Sequence, residues 1–315
     1  MRPVLLLLGY ALAVAWSAPA PLSRLTARGI SPRLGLAAWL TAMASALASA
    51  AAALEFLVRA AADGWSRLAE VVCRSVAGHA CAQTVYTGAV FELVLAAITV
   101  VAALSAVVLA WRYGRGVQRA QQRARAHAEA ARITGRRLPG GGSAVVLDAA
   151  RPAAYCVPGR PAAIVLTSGA LAVLDPRQLT AVLAHERAHL AGRHHLLIVL
   201  TRGLAAAFPG VPLFTRGPAE VARLAEMCAD DTAARLSSRP TLVTALLAMG
   251  TGAAVPAAAL AAATCAVTAR VQRLLEPAPP ARHARNRLAL IAVMVLLALA
   301  SALITRFAGP LTALG

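Results

Sequence analysis

Two histidines and a glutamate stand together in His185-Glu186-Arg187-Ala188-His189, and their spacing decides what chemistry they suit. On a helix, at about 100° per residue, His185 and His189 lie about 40° apart around the axis and one turn apart along it, so their imidazoles converge on one point. Neutral imidazole nitrogens suit Zn²⁺. The carboxylate of Glu186 flanks the same point, where it can take the proton of a water that the metal has acidified. The spacing therefore supplies two ligands and a base.

The element that must carry them announces its own start. Asp175 is placed to act as N-cap, Pro176 suits the first helical position and Gln178 completes a capping box, so one helix is expected from Asp175 toward Leu200. A catalytic zinc site also needs a third protein ligand and one open position. Glu226 is the best candidate, in Glu226-Met227-Cys228-Ala229-Asp230-Asp231, a second expected helix after Pro218. Asp230, four residues on, shares its face and is placed to accept the free N–H of a ligand histidine, fixing tautomer and orientation. Glu220 is the rival ligand, without an acid at i+4. A second donor for an oxyanion is expected among His194, His195, Tyr155 and Arg223.

Through Leu179-Thr180-Ala181-Val182-Leu183-Ala184-His185-Glu186-Arg187-Ala188-His189 and Glu226-Met227-Cys228-Ala229-Asp230, the chain resembles the gluzincin membrane peptidases, specifically the BlaR/MecR-type metallopeptidases. The HtpX and CAAX prenyl protease group is a more distant likeness. The resemblance implies that His185, His189 and Glu226 hold one zinc ion per chain and that Glu186 is the catalytic base. It also implies a strand beside the zinc helix whose edge aligns an extended peptide, and a substrate that is a cytoplasmic winged-helix repressor. One departure stands out: this sequence ends at Gly315 and is expected to lack the C-terminal penicillin-binding sensor domain.

Composition places these motifs in a membrane protein. Over 315 residues, 59% are hydrophobic and the mean hydropathy is +0.67, too apolar for an ordinary soluble domain. Four apolar runs have the length of a span: 3–20, for which a signal peptide is the competing reading, then 34–58, 88–110 and 288–304. Glu55 and Glu92 are expected at one interface. Arginines decide orientation, because cytoplasmic loops carry the Lys/Arg excess. Arg24, Arg28 and Arg33 lie in the first loop, and eight arginines from Arg112 to Arg137 face Glu129 alone. Both segments are expected inside, which puts the metal motifs in the cytoplasm. The net charge of +18 might suggest nucleic acid, but the basic stretch abuts a span and has only Tyr113 as a ring, so anionic lipid headgroups are the expected counter-charge.

The expected architecture is thus a multi-pass α-helical membrane protein with a cytoplasmic α+β zincin-like metallopeptidase domain. Residues 1–112 form a membrane region, 113–142 a basic juxtamembrane linker, 143–286 the peptidase domain, and 287–315 the last span with a short external tail. Within the domain, which opens with the short apolar run Ala144 to Leu147, the stretches Pro152 to Gly159 and Ala163 to Gly169 read as two strands joined around Pro158-Gly159, and Leu242 to Val267 as helices. Cys73 and Cys81, in the external loop, are spaced to pair in an oxidising compartment, and Cys156 and Cys228 fall inside the zinc motifs. The expected activity is that of a zinc endopeptidase acting on a cytoplasmic protein, most simply by inactivating a repressor. The alternatives are an HtpX-like quality-control protease and a non-enzymatic membrane interaction protein.

Overall fold

The computed structural model describes residues 2–76, 84–159, 161–251 and 267–308. Its helices are α1 (Arg2–Ser17), α2 (Pro19–Thr26), α3 (Pro32–Val76), α4 (Thr84–Thr134), α5 (Ser168–Val173), α6 (Pro176–Ala191), α7 (His194–Ala207), α8 (Pro212–Leu236) and α9 (Arg239–Thr251), then α10 (residues 267–275) and α11 (Pro280–Ala308). Four short strands, β1 (Arg136–Arg137), β2 (Ala144–Leu147), β3 (Ala154–Val157) and β4 (Ala163–Thr167), form one sheet in the order β1-β2-β4-β3.

Three helices are long and apolar enough to cross a membrane, over Pro32–Trp65, Val90–Thr134 and Pro280–Arg306. The expected runs 34–58, 88–110 and 288–304 lie in these three helices, α3, α4 and α11. The first run differs: α1 and α2 are bent by 41° at Ser17-Ala18, and the pair together has the composition of a fourth span. Pro19 accounts for the bend, because its ring carries no N–H for the helical ladder and crowds the preceding turn, while Ala18 keeps helical backbone at φ −67° and ψ −33°. Tyr10 on α1 bonds Ser45 Oγ of α3 at 2.7 Å and the Leu297 carbonyl of α11 at 2.9 Å, so these three helices pack as a bundle. Glu55 pairs with Arg59 one turn away.

The segment expected as a basic linker is instead the far end of α4. Its arginines recur at helical spacing and Ala128 and Ala131 face inward, so nothing in 113–134 interrupts the helix, and the break waits for Gly135 and the Pro139 to Gly142 turn. Ala128 and Ala131 are buried against Val145, Val157 and Val165, one face of the sheet. The opposite face, through Ala144, Ile164 and Leu166, packs on Ala170, Leu174, Val182 and Leu183 of α5, α6 and their link. Alternate residues of each strand thus point to opposite layers, and β4, covered on both sides, is buried along its whole length.

The two expected strands do pair antiparallel, with Tyr155 opposite Val165 and Cys156 opposite Ile164. β2 runs parallel to β4 on its other side, which leaves β3 as an edge of the sheet among the described strands.

α8 begins at Pro212, six residues before the expected start, and carries Pro218 in its interior. Close packing explains why the helix tolerates this. Gly217 lies where a Cβ would collide with Met43 of α3, and Leu213, Leu224, Trp39 and Leu22 are fully buried in the same cluster. Burying such side chains contributes about 1.5–3 kcal/mol each, which offsets the backbone bond lost at a proline. The consequence is positional: the helix that carries Glu226 is fastened to the apolar bundle. Cys81 of the expected Cys73–Cys81 pair, and residues 252–266 of the expected 242–267 helices, lie outside the described residues.

Candidate metal centre

α6 forms where its capping signals put it. Asp175 Oδ1 accepts from the backbone N–H groups of Arg177 and Gln178, both at 2.8 Å, while Gln178 Oε1 accepts from the Asp175 N–H at 3.0 Å. That satisfies three of the orphan donors at this helix start and sets the register in which His185, Glu186 and His189 are all buried at 8% exposure. α8 packs beside α6 and brings Glu226 to the same point.

Donor atoms from the three residues form a tight triangle. His185 Nε2 and His189 Nε2 are 3.1 Å apart, His185 Nε2 and Glu226 Oε2 are 3.4 Å apart, and His189 Nε2 and Glu226 Oε1 are 3.3 Å apart. A tetrahedron with metal–ligand bonds of about 2.0–2.1 Å has edges of roughly 3.3–3.4 Å. The two carboxylate edges end on different oxygens of Glu226, and with one donor atom from each residue the three lie within 4.8 Å of one another, close enough for two imidazoles and a carboxylate to share one zinc ion, so the residues present fit the ion. Among the described residues these three are the group of His, Cys, Asp and Glu side chains able to hold a metal.

Behind each histidine stands a group facing its other nitrogen. Asp230, fully buried, places Oδ1 3.2 Å from His185 Nδ1, within ion-pair distance though short of hydrogen-bond alignment. His194 Nδ1 lies 2.9 Å from His189 Nδ1. If His189 presents the Nε2 lone pair to a metal, its Nδ1–H donates to His194, which then carries its own proton on Nε2. Burial and the neighbouring His189 push His194 down to about 4, so it is neutral and able to accept. The turn that returns His194 to His189 needs Arg193 in the left-handed region, at φ 48°, and Gly192, where a Cβ would collide with His194 Nε2.

Arg270 of α10 completes the acidic side, and no local sequence signal marked it. Its Nε and Nη2 donate to Asp230 Oδ2 and Oδ1 at 2.8 and 2.6 Å, and Nη1 lies 3.1 Å from Glu226 Oε2. One guanidinium thus holds both carboxylates of α8. Burial would raise the Asp230 carboxyl, but Arg270 and His185 outweigh it and hold it below the usual carboxylate range; Glu226 is held down likewise by His185, His189 and Arg270. Burial alone would lower His185, yet Asp230 and Glu226 raise it to about 9.

Glu186 points away from these pairs into the cleft, where burial pushes its carboxyl up and the Cys156 backbone N–H reaches it. Cys156 is no nucleophile in this setting: burial, with the charges of Glu186 and Glu226, pushes its thiol up to about 12, and burial raises Cys228 to about 11. The cleft holds about 350 Å³ and is walled by β3 on one side and α6 on the other, with Tyr155 and His195 on its rim. Two residues considered from sequence are elsewhere. Glu220 binds Arg223 at 2.6 Å and Ser23 at 3.2 Å, and Arg223 reaches the carbonyls of Thr26 and Ala27.

His185, His189 and Glu226 could thus hold a metal ion, with a buried glutamate beside them, in a chain with three helices long and apolar enough to cross a membrane. Residues 117–208 match the family described as Peptidase family M48, a stretch that holds the end of α4, the sheet, α6 and α7 and stops before Glu226. No curated protein and no solved structure shows a match.

Proposed function

We propose that the chain is a membrane-embedded zinc endopeptidase that cuts a cytoplasmic protein. The observation that carries this reading is the convergence of His185, His189 and Glu226 donor atoms within 4.8 Å of one another, with the buried Glu186 lining the same cleft. Zinc, when bound there, supplies Lewis acidity toward a water and a scissile carbonyl. Glu186 receives the water proton and returns it to the leaving amine; its raised proton affinity suits it to both tasks. Asp230 and His194 orient the two histidines, and Arg270 orients Glu226 and Asp230. The edge of β3 offers backbone groups along the cleft for an extended peptide, with Tyr155 and His195 at hand for the oxyanion. Arg24, Arg28 and Arg33, together with the basic end of α4, support a cytoplasmic site by the bias of such loops.

Within this reading, a regulatory role is favoured, in which one repressor is the substrate. Glu186→Gln tests both levels. The amide is not a ligand and cannot take a proton, so the variant should keep zinc and lose hydrolysis. Cells carrying it should accumulate one intact DNA-binding protein whose target genes stay silent. Accumulation of many unrelated membrane proteins would instead assign the chain to quality control, and cleavage at the wild-type rate would overturn the peptidase reading.

A further inference from the structure

A second and larger cavity, of about 830 Å³, lies behind the metal centre and away from its cleft. Three parts of the chain wall it: the α2–α3 turn at 27–30, the end of α8 with the start of α9, and the run from α10 into α11. Arg28, Arg235, Arg239, Arg273 and Arg282 line it, against the acids Asp231 and Glu276. Asp231 is already taken by Arg273, 2.6 Å away. Arg28, Arg235, Arg239 and Arg282 form no ion pair among the described residues, so the cavity holds a surplus of positive charge that the protein itself leaves uncompensated.

The walls are built rather than incidental. Gly29 adopts φ +56°, and a Cβ there would collide with Met227; its carbonyl accepts from Arg273 Nε at 2.8 Å. Arg273 is thus clamped on two sides, while its remaining nitrogen, Nη1, is buried with no partner. That clamp fixes the wall of the cavity and leaves Arg28, Arg235, Arg239 and Arg282 as the guanidinium groups that can face a ligand. Position narrows the ligand further. Arg282 precedes the apolar run of α11, which starts at Leu288, by six residues or about 9 Å along the helix. That distance is comparable with the headgroup layer of roughly 5–8 Å that flanks each side of the hydrocarbon core.

We infer that this cavity binds an anionic phosphate group, presented by a membrane lipid headgroup or by a soluble phosphate. Guanidinium forks match tetrahedral phosphate oxygens in pairs, and basic pockets at the ends of spanning helices are suited to such headgroups. The site is distinct from the metal centre, yet it shares α8 and α10 with it: Met227 and Asp231 follow Glu226 and Asp230 by one residue, and Arg273 follows Arg270 by one turn.

The full chain is reconstituted in discs of phosphatidylcholine, alone or mixed with phosphatidylglycerol, and retained lipid is read by native mass spectrometry. Wild type should retain phosphatidylglycerol selectively, and R235A/R239A/R282A should lose that preference by roughly 100-fold. In phosphatidylcholine discs the two should melt alike, and R235K/R239K/R282K, which keeps the charge but not the paired donors, should recover only part of the preference. If soluble phosphate is the source, pyrophosphate will raise the melting temperature of wild type but not of the alanine variant in phosphatidylcholine discs, with no selective lipid retained. The proposal is overturned if neither anion distinguishes wild type from the alanine variant, or if the lysine variant binds as tightly as wild type, which would reduce the site to diffuse charge.

Discussion

Replacing Arg270 by alanine tests whether the metal centre depends on a residue that touches none of the metal's prospective bonds. The guanidinium gives Asp230 two bonds of 2.8 and 2.6 Å and approaches Glu226 at 3.1 Å, and the Asp230 side chain is fully buried. Its removal leaves a buried carboxylate facing only His185. Breaking a buried pair from one side costs about 3–5 kcal/mol, and one such loss in a chain of this size lowers the melting temperature by roughly 5–15 °C. Two readouts separate destabilisation from loss of the site: thermal unfolding of the metal-free chain, and zinc affinity by chelator competition, expected to fall by about 10- to 100-fold. A double-mutant cycle with Asp230→Ala isolates the pair, and the double variant should be less impaired than the sum of the single ones. Melting within about 1 kcal/mol of wild type with unchanged zinc affinity would refute the reasoning, because it would mean the Asp230 charge is not held by Arg270.

Other expectations follow from the same geometry. His185→Ala, His189→Ala and Glu226→Ala should each lose most of one bound zinc per chain by elemental analysis, whereas Glu220→Ala, whose carboxylate serves Arg223 and Ser23, should keep it. His185 holds a proton up to about 9 in the metal-free chain, and metal must displace it. Apparent zinc affinity should therefore rise about tenfold per pH unit across neutral pH and level off above that value; a flat profile by competition titration would contradict the assignment. Gly192→Ala should lower zinc affinity roughly tenfold by driving His194 from His189. Because its backbone is ordinary at φ −77°, the same variant should melt within about 1 kcal/mol of wild type, which sets it apart from a folding defect.

What could be read from the sequence was what is local. Asp175, Pro176 and Gln178 specify a helix start within four residues, and HExxH spacing then fixes which side chains share a face, so α6 and its two histidines needed no tertiary knowledge. Glu226 and Asp230 were legible for the same reason, as an acidic pair one turn apart. Arg270 was not. It lies 40 residues beyond Asp230 and resembles any arginine flanking an apolar stretch until α10 folds back on α8. The basic run after the third apolar segment was misjudged as a linker because charge pattern speaks to solvent and headgroups, while the alanines that bury against the sheet carry little signal of their own. Pro218 misled in the opposite sense: proline marks helix starts well, but a helix packed as closely as α8 on Met43 and Trp39 carries one inside.

Because α4 runs unbroken for 51 residues, about 75 Å at 1.5 Å per residue, its apolar half and its basic end move as one lever. The stretch from Trp111 to Thr134 alone is about 35 Å long, so a tilt of about 5° at its base displaces the tip by about 3 Å. That tip is not free to slide past the sheet. His127 stacks on Tyr155 with ring centroids 5.8 Å apart, Arg132 bonds the Pro161 carbonyl, and Ala128 and Ala131 are pressed into the strands. α8 is moored to the other helices of the bundle, and α6 packs on the opposite face of the same sheet. The sheet is thus held between a helix long enough to cross a membrane and the helix that carries both histidines, so the wall of the cleft at β3 is anchored from both faces.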